Sequence, residues 1–471
     1  IHAGEIDGKD AGFLLARELL EGKAGLPNDL LAHVTFVFVP VFNVDGSERV
    51  SKNNRPNQRG PAEMGWRTTA QNLNLNRDYM KVDAPEMRAM LALLRAWDPV
   101  LYVDLHVTDG AQFQHDVSVT VAPDTELVRA LQKNVVTAVN KLGHKALDFY
   151  PSFDKDDDPS SGFTAGLPPP RFSTTYWALH GRIGMLVETH SWKDYATRVK
   201  ATHDVLVAVL AEALAHGAEW KAMPAPDAER VVLAWEPTGE SRTIDFLGYE
   251  YTRTPSAISG ALRTRYDEKK PAVWKVPFRY AIKPALTIDA PFGYVVPPEW
   301  AALVKDKLDA HGVESSLVSR PHPSMDASIF RAVDVKLGDQ SYEGHQTARV
   351  KGAWSQAKRT VLTGSLFVPV HQRLGALAVH LLEPLAPDSL LAWGFMNGVF
   401  EQKEYMESYV AEAVGAEMLK DKTIAAEFAK ALDDPAFAKD PQKRLDFFYR
   451  KHPSWDDHKD LYPVFRVGSA P

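Results

Sequence analysis

Four of the sixteen histidines in this chain are followed three residues later by glutamate: His2/Glu5, His216/Glu219, His311/Glu314 and His380/Glu383. That spacing is a chelate spacing, and its surroundings must separate the four. His380 and Glu383 lie in Gly-Ala-Leu-Ala-Val-His-Leu-Leu-Glu-Pro, which reads as a strand, where side chains three apart face opposite ways. His216/Glu219 and His311/Glu314 sit beside glycine at helix ends, and read as solvated surface. His2/Glu5 precedes an amphipathic helix, at a strand-to-helix junction. In open α/β sheets, sites gather at the carboxyl ends of strands. His106 closes the strand Leu-Tyr-Val-Asp-Leu-His, Glu188 closes Gly-Met-Leu-Val-Glu, and Asn43-Val44-Asp45-Gly46 follows another. Two histidines and one carboxylate, with water in the fourth position, make the ligand set of a catalytic rather than a structural zinc. His106 alone would read as a structural histidine; with His2, Glu5 and Glu188 it reads as a ligand.

The composition leaves few other routes to chemistry. There is no cysteine among the 471 residues, which removes disulfides, thiol catalysis and thiolate metal sites. Lys plus Arg is 54 against Asp plus Glu 61, a net charge of −7 with no basic excess to recruit nucleic acid. No apolar run is long enough to span a membrane. The length suggests two or three domains. The start, at Ile1, reads as lying inside a domain, with something upstream left out.

The positioning elements follow from periodicity. Helices are expected at Asp7 to Glu21, at Pro85 to Trp97 with Met87, Met90, Leu91, Leu94 and Trp97 inward, at Leu127 to Leu142, and at Asp194 to Ala215. Strands are expected at Val34 to Phe42, Val100 to Leu105, Val117 to Val121 and Ile183 to Val187, with loops over 51–72 and 152–170. Alternating strands and helices indicate an α/β sheet between helices. Residues 218–240, with Met223-Pro224-Ala225-Pro226, read as a linker between residues 1–217 and 241–471. The second unit reads as short strands to about residue 400, then helices at Glu401 to Lys420, Thr423 to Leu432 and Gln442 to Tyr449.

Ile-His-Ala-Gly-Glu at the start, Trp66-Arg67, Asn74-Leu75-Asn76-Arg77-Asp78-Tyr79, Asp104-Leu105-His106 and Val187-Glu188-Thr189 stand in the order found in zinc carboxypeptidases of the carboxypeptidase A type, which residues 1–215 resemble. Phe-Val-Pro-Val at 367–370 and the aromatic stretch 393–405 resemble an extension found in a bacterial branch of that family. The resemblance implies a mixed twisted sheet between helices and one zinc ion per chain, held by His2, Glu5 and His106. It implies Glu188 as general base, Arg67 as the cation on the scissile carbonyl, and Asn76 and Arg77 as the grip on a substrate's free C-terminal carboxylate. A secreted or periplasmic setting is expected over a cytoplasmic one.

Three departures stand out. Asn74 occupies a position where digestive members carry an aspartate orienting a ligating histidine, and Asp104 could support His106 instead. Thr108 stands where animal members have tyrosine, and their mobile tyrosine has no match; Tyr150 and Tyr176 qualify by proximity, with core packing the simpler reading of both. Specificity is expected from residues 150–180. Two rival readings share the plan: an amidase or deacylase acting on N-acyl amino acids or cell-wall peptides, and a non-catalytic peptide-binding protein. The 393–405 stretch would pack on the catalytic unit or form a homodimer contact.

Overall fold

The computed structural model describes residues 1–108 and 110–471. Helix Asp7–Glu21 forms as the periodicity predicts, with Ala11 and Leu15 buried and Gly22 ending it in the left-handed conformation. Two of its glycines are required by contact. A Cβ on Gly8 would lie 2.7 Å from Leu105 Cβ, and one on Gly12 would lie 2.3 Å from the Phe38 ring. The helix therefore seats directly on the first strand.

The N-terminal strands are β1 (Leu101–Val107), β2 (Val117–Ala122), β3 (Ala146–Leu147), β4 (Phe163–Thr164) and β5 (Ile183–Thr189). Four of them form a mixed sheet ordered β1-β5-β2-β3, with β1/β5 and β2/β3 parallel and β2/β5 antiparallel. Alternation along β1 fixes its two faces. Val103 and Leu105 pack toward helices Asp7–Glu21 and Tyr195–Lys221, whose Leu15, Leu206 and Leu210 they meet. Asp104 and His106 point the other way. Helix Glu126–Lys141 adds Val128, Leu131, Val135 and Val139 to the core beneath β2 and β5.

Three expectations need correction here. Val34 to Phe42 belongs to no sheet among the described residues, although its side chains alternate, with Phe36 and Phe38 half-buried and Val37, Val39 and Val41 exposed. β-branched residues with period two favour extended backbone, but a ladder also needs a neighbouring strand. Trp97 is exposed at the end of its helix, which Asp98 terminates in the left-handed conformation. Within residues 218–240, helix continues to Lys221 and strand resumes at Arg230, because an amphipathic stripe persists past Ala215.

The second half is built from longer strands than its punctuation suggests. β6 (Arg230–Pro237) is followed by the ribbon β7 (Ser241–Pro255) and β8 (Leu262–Arg279), and then by β9 (Ile282–Asp289), which pairs with β6. Pro271 does not interrupt β8, because it lies opposite Tyr249 where the register shifts. Strands β10 (Gly293–Val296), β11 (Ser316–Leu317), β12 (His322–Leu337), β13 (Ala348–Val361), β14 (Leu366–Pro369) and β15 (Phe465–Val467) form an antiparallel sheet. The helices near the end are Ser408–Met418, Lys422–Ala431, Pro435–Ala438 and Pro441–Tyr449, the first starting well after Glu401. No described helix is long and apolar enough to cross a membrane.

The two halves share their cores. Leu75, Tyr79, Met80, Tyr176 and Trp177 pack in one cluster with Val231, Tyr294, Leu366 and Leu377. Phe113 and Phe163 pack with Phe246, Trp274 and Phe278, and β4 joins the edge of β8. Trp393 is buried, with the Lys81 ammonium 5.7 Å and the Arg171 guanidinium 5.2 Å from its ring. That part of the aromatic stretch packs on the first half, while Tyr405 is exposed.

Candidate active site

His2 and Glu5 are brought together by a tight turn in which the Glu5 amide donates to the His2 carbonyl, 2.9 Å. His2 Nδ1 lies 2.8 Å from Glu5 Oε1, and His106 Nδ1 lies 3.0 Å from Glu5 Oε2. The two imidazoles meet edge to face with centroids 5.0 Å apart. All three side chains are buried, and their ligand atoms lie within 4.8 Å of one another. A turn supplies two of them, and the end of β1, a hundred residues on, supplies the third.

Each imidazole is oriented from behind. His2 Nε2 lies 3.1 Å from Asn74 Oδ1, and His106 Nε2 lies 3.1 Å from Asp104 Oδ1. Asp104 Oδ2 in turn accepts from Ser173 Oγ, 2.6 Å. Both the asparagine and the aspartate singled out in the sequence thus serve an imidazole, but different ones. Two Nδ1 atoms and a carboxylate converging, with Asn74 behind one ring and the Asp104 carboxylate close behind the other, fit a zinc ion's preference for nitrogen and oxygen donors with supporting groups.

The electrostatics are those of a site short of positive charge. Burial drives the His2 imidazole down to about 4. Burial also opposes charging His106, but Asp104, Glu5 and Glu188 outweigh it and push that imidazole up to about 10. Burial would raise the Glu5 carboxyl, yet His2 and Arg55 hold it well below the usual range. Asp104 is held at about 2, burial being outweighed by His106. A divalent cation would compete directly with the proton on His106.

Glu188, next to last in β5, is in register with His106, so parallel pairing brings both residues to one face of the sheet. Arg67 stands at the rim, Nη1 3.8 Å from Glu5 Oε1 and its side chain 35% exposed. A second arginine was missed in the sequence. Arg55 is buried with Nη2 2.8 Å from Glu5 Oε1, and its Nε donates to Gln58 Oε1. It comes from an irregular polar loop, where no periodicity marks which arginine folds inward.

Asn76 and Arg77 lie on a short 3-10 turn, Leu75–Arg77, whose cap is Asn74. The Asn76 amide donates to Asn74 Oδ1, 3.0 Å, the same oxygen that meets His2 Nε2. One atom therefore ties the His2, Glu5 and His106 cluster to the Asn-Arg pair. The Arg77 guanidinium lies 4.4 Å from the Phe172 ring and has no carboxylate partner among the described residues.

Tyr176 is buried, its hydroxyl 2.9 Å from His311 Nδ1, and Tyr150 is exposed rather than packed in a core. His311, expected at the surface, is fully buried, because helix Pro298–His311 ends against the first half at the Met80 carbonyl. Gly375–Leu382 is helix rather than strand, since it is buried on all sides and needs no alternation. His216 and Glu219 do form an exposed pair, 3.1 Å apart.

Residues 1–165 match the family model of the zinc carboxypeptidases, Peptidase_M14. Carboxypeptidase 2 of Trichophyton rubrum is 28% identical over 114 residues, 24% of this chain and 21% of that protein. A crystal structure of a metallo-carboxypeptidase from Burkholderia cenocepacia aligns with a TM-score of 0.33 at 20% identity, covering 45% of this chain and 54% of its own. The chain thus spans about a fifth of the curated relative and about half of the solved one.

Proposed function

We propose that this chain is a zinc-dependent metallocarboxypeptidase that hydrolyses the C-terminal peptide bond of a peptide. The observation that carries the reading is the buried convergence of His2, Glu5 and His106, tied through Asn74 Oδ1 to Asn76 and Arg77. A zinc ion held by His2, Glu5 and His106 would supply Lewis acidity and lower the pKa of water in the site toward about 7. Glu188, beside His106, takes a proton from the attacking water and returns it to the departing nitrogen. Arg67 places fixed positive charge at the rim, where the carbonyl oxygen becomes negative, a contribution typically worth about 10²–10³ in rate. The Arg77 fork suits a free carboxylate, which favours a peptide's end over its interior.

The test is a panel of N-blocked dipeptides and N-acyl amino acids, assayed with and without chelator, on wild type and Glu188→Gln. The reading expects dipeptide hydrolysis that chelator abolishes, and a variant that keeps zinc but loses about 10³-fold or more in kcat. Turnover of N-acyl amino acids alone would favour an amidase or deacylase. Zinc without any turnover, together with unchanged peptide binding by the variant, would indicate a binding protein.

A further inference from the structure

The connection between β12 and β13, residues 338–347, lies on the Asn74–Arg77 turn of the other half. Arg77 Nε donates to Tyr342 Oη, 3.1 Å. The Asn74 amide donates to Glu343 Oε2, 2.8 Å. His345 Nε2 stands 2.7 Å from Asp83 Oδ2, and a Cβ built on Gly344 would be 3.5 Å from Leu73 Cδ2. Three of four consecutive residues of the second half therefore grip residues 74–83 of the first.

The tip is rigid by construction. The Tyr342 and His345 backbones exchange hydrogen bonds of 2.8 and 3.1 Å, around Glu343 at φ 52° and Gly344 at φ 83°. Two successive left-handed residues suit a two-residue hairpin turn, but glutamate takes that conformation at a cost of about 1 kcal/mol. The Tyr342 ring is stacked on Trp393, centroids 5.9 Å apart and planes 5° from parallel, and His345 packs on Phe395 at 4.6 Å. Backbone strain persists where the surroundings hold it, often at a functional position. Here it holds the Glu343 carboxylate on the Asn74 amide.

The contacts also decide which edge of Arg77 stays available. Nε is engaged by Tyr342, and Nη1 donates to the Asn76 carbonyl, 2.7 Å. One face of the guanidinium plane is covered by the Phe172 ring. What remains is the end of the fork, Nη2 with the second hydrogen of Nη1, which matches a carboxylate through two parallel hydrogen bonds.

We infer that the Tyr342–His345 tip completes the subsite for the substrate's terminal carboxylate, with Tyr342 and Glu343 as positioning residues. This rests on the reading of Arg77 given above. Tyr342 turns the guanidinium so that its fork end faces the substrate. Glu343 fixes the turn through the Asn74 amide, and Asn74 Oδ1 in turn orients Asn76 and His2. The second half of the chain is then part of the active site.

The experiment measures kcat and KM separately in the full chain, on an N-blocked dipeptide with a free C-terminal carboxylate and on its C-terminal amide. Tyr342→Phe keeps the ring on Trp393 and removes the hydroxyl. It is expected to raise KM for the carboxylate about tenfold, with kcat within about twofold, unchanged zinc content and no change in KM for the amide. Glu343→Gly relieves the left-handed backbone yet removes the carboxylate, and should also raise KM; Glu343→Gln keeps an acceptor oxygen and should restore most of it. Arg77→Ala is the reference. If it raises KM for the carboxylate while Tyr342→Phe and Glu343→Gly leave wild-type values, the tip has no positioning role and the inference is overturned alone. If Arg77→Ala itself leaves KM unchanged, the carboxylate reading of Arg77 falls and the inference falls with it.

Discussion

Two buried His-x-x-Glu pairs in this molecule share a spacing and differ in what satisfies the glutamate. At Glu383 both carboxylate oxygens are taken by Arg466, at 2.8 and 2.5 Å, and Tyr294 donates to one of them at 2.6 Å. Its neighbour His380 is buried and held near 4 mainly by desolvation, with a backbone partner at Val232. At Glu5 the oxygens are shared among two imidazoles, a buried arginine and the Val107 amide. Both carboxylates carry an arginine, but in the first the imidazole turns elsewhere, with His380 bonded to the Val232 backbone. The second gathers two imidazole nitrogens and an acid around one point, with more acids behind them. Spacing alone does not gather ligand-type side chains; which other groups reach the carboxylate decides.

The sharpest way to break that contrast is to neutralise each glutamate in turn. Glu5→Gln should lose zinc and about 10³-fold or more of activity, as expected when a metal that activates water leaves. Glu383→Gln should keep zinc and turnover per folded molecule, and lose about 3 kcal/mol of stability in denaturant titration. That is the low end for breaking a buried pair, since the Arg466 side chain is 18% exposed. Loss of zinc from Glu383→Gln would erase the distinction.

Arg67 sharpens the comparison within the active cluster. Arg55 neutralises Glu5 from the buried side, whereas Arg67 stands at the rim. Arg67→Ala is expected to lower kcat about 10²-fold while zinc content stays at the wild-type value. An equal loss of zinc would make it a structural partner of Glu5.

A smaller effect concerns how the halves are joined. Burial would raise the Asp83 carboxyl, but His345, Lys307 and Lys81 together hold it far below the usual range. A carboxyl whose folded pKa is depressed adds stability above its unfolded value and loses it as pH falls toward the folded one. Stability should therefore drop as pH falls below about 4, and Asp83→Asn should be less stable at neutral pH and flatter over that acid range. Parallel curves for the two proteins would remove Asp83 from the acid response.

The convergence of His2, Glu5 and His106 was largely legible in the sequence because these residues sit near element ends that periodicity defines. His106 lies near the end of β1, whose apolar residues alternate, Glu188 lies near the end of the apolar run of β5, and His2 and Glu5 precede a helix with a clear stripe. Asp104 was legible for the same reason, two residues from His106 on one face. Arg55 and Tyr342 were not, since one lies in an irregular loop and the other reaches Arg77 across 265 positions. Val34 to Phe42 and His311 failed differently. Local pattern fixes extended backbone or a helix end, but pairing and burial depend on what distant chain packs there.

The most direct measurement is zinc content by elemental analysis of the purified full chain and of His2→Ala, His106→Ala and His380→Ala. One zinc per chain is expected in wild type and His380→Ala, and none in the other two. Zinc retained by both His2→Ala and His106→Ala, or lost from His380→Ala, would contradict the assignment of the metal to the Glu5 cluster.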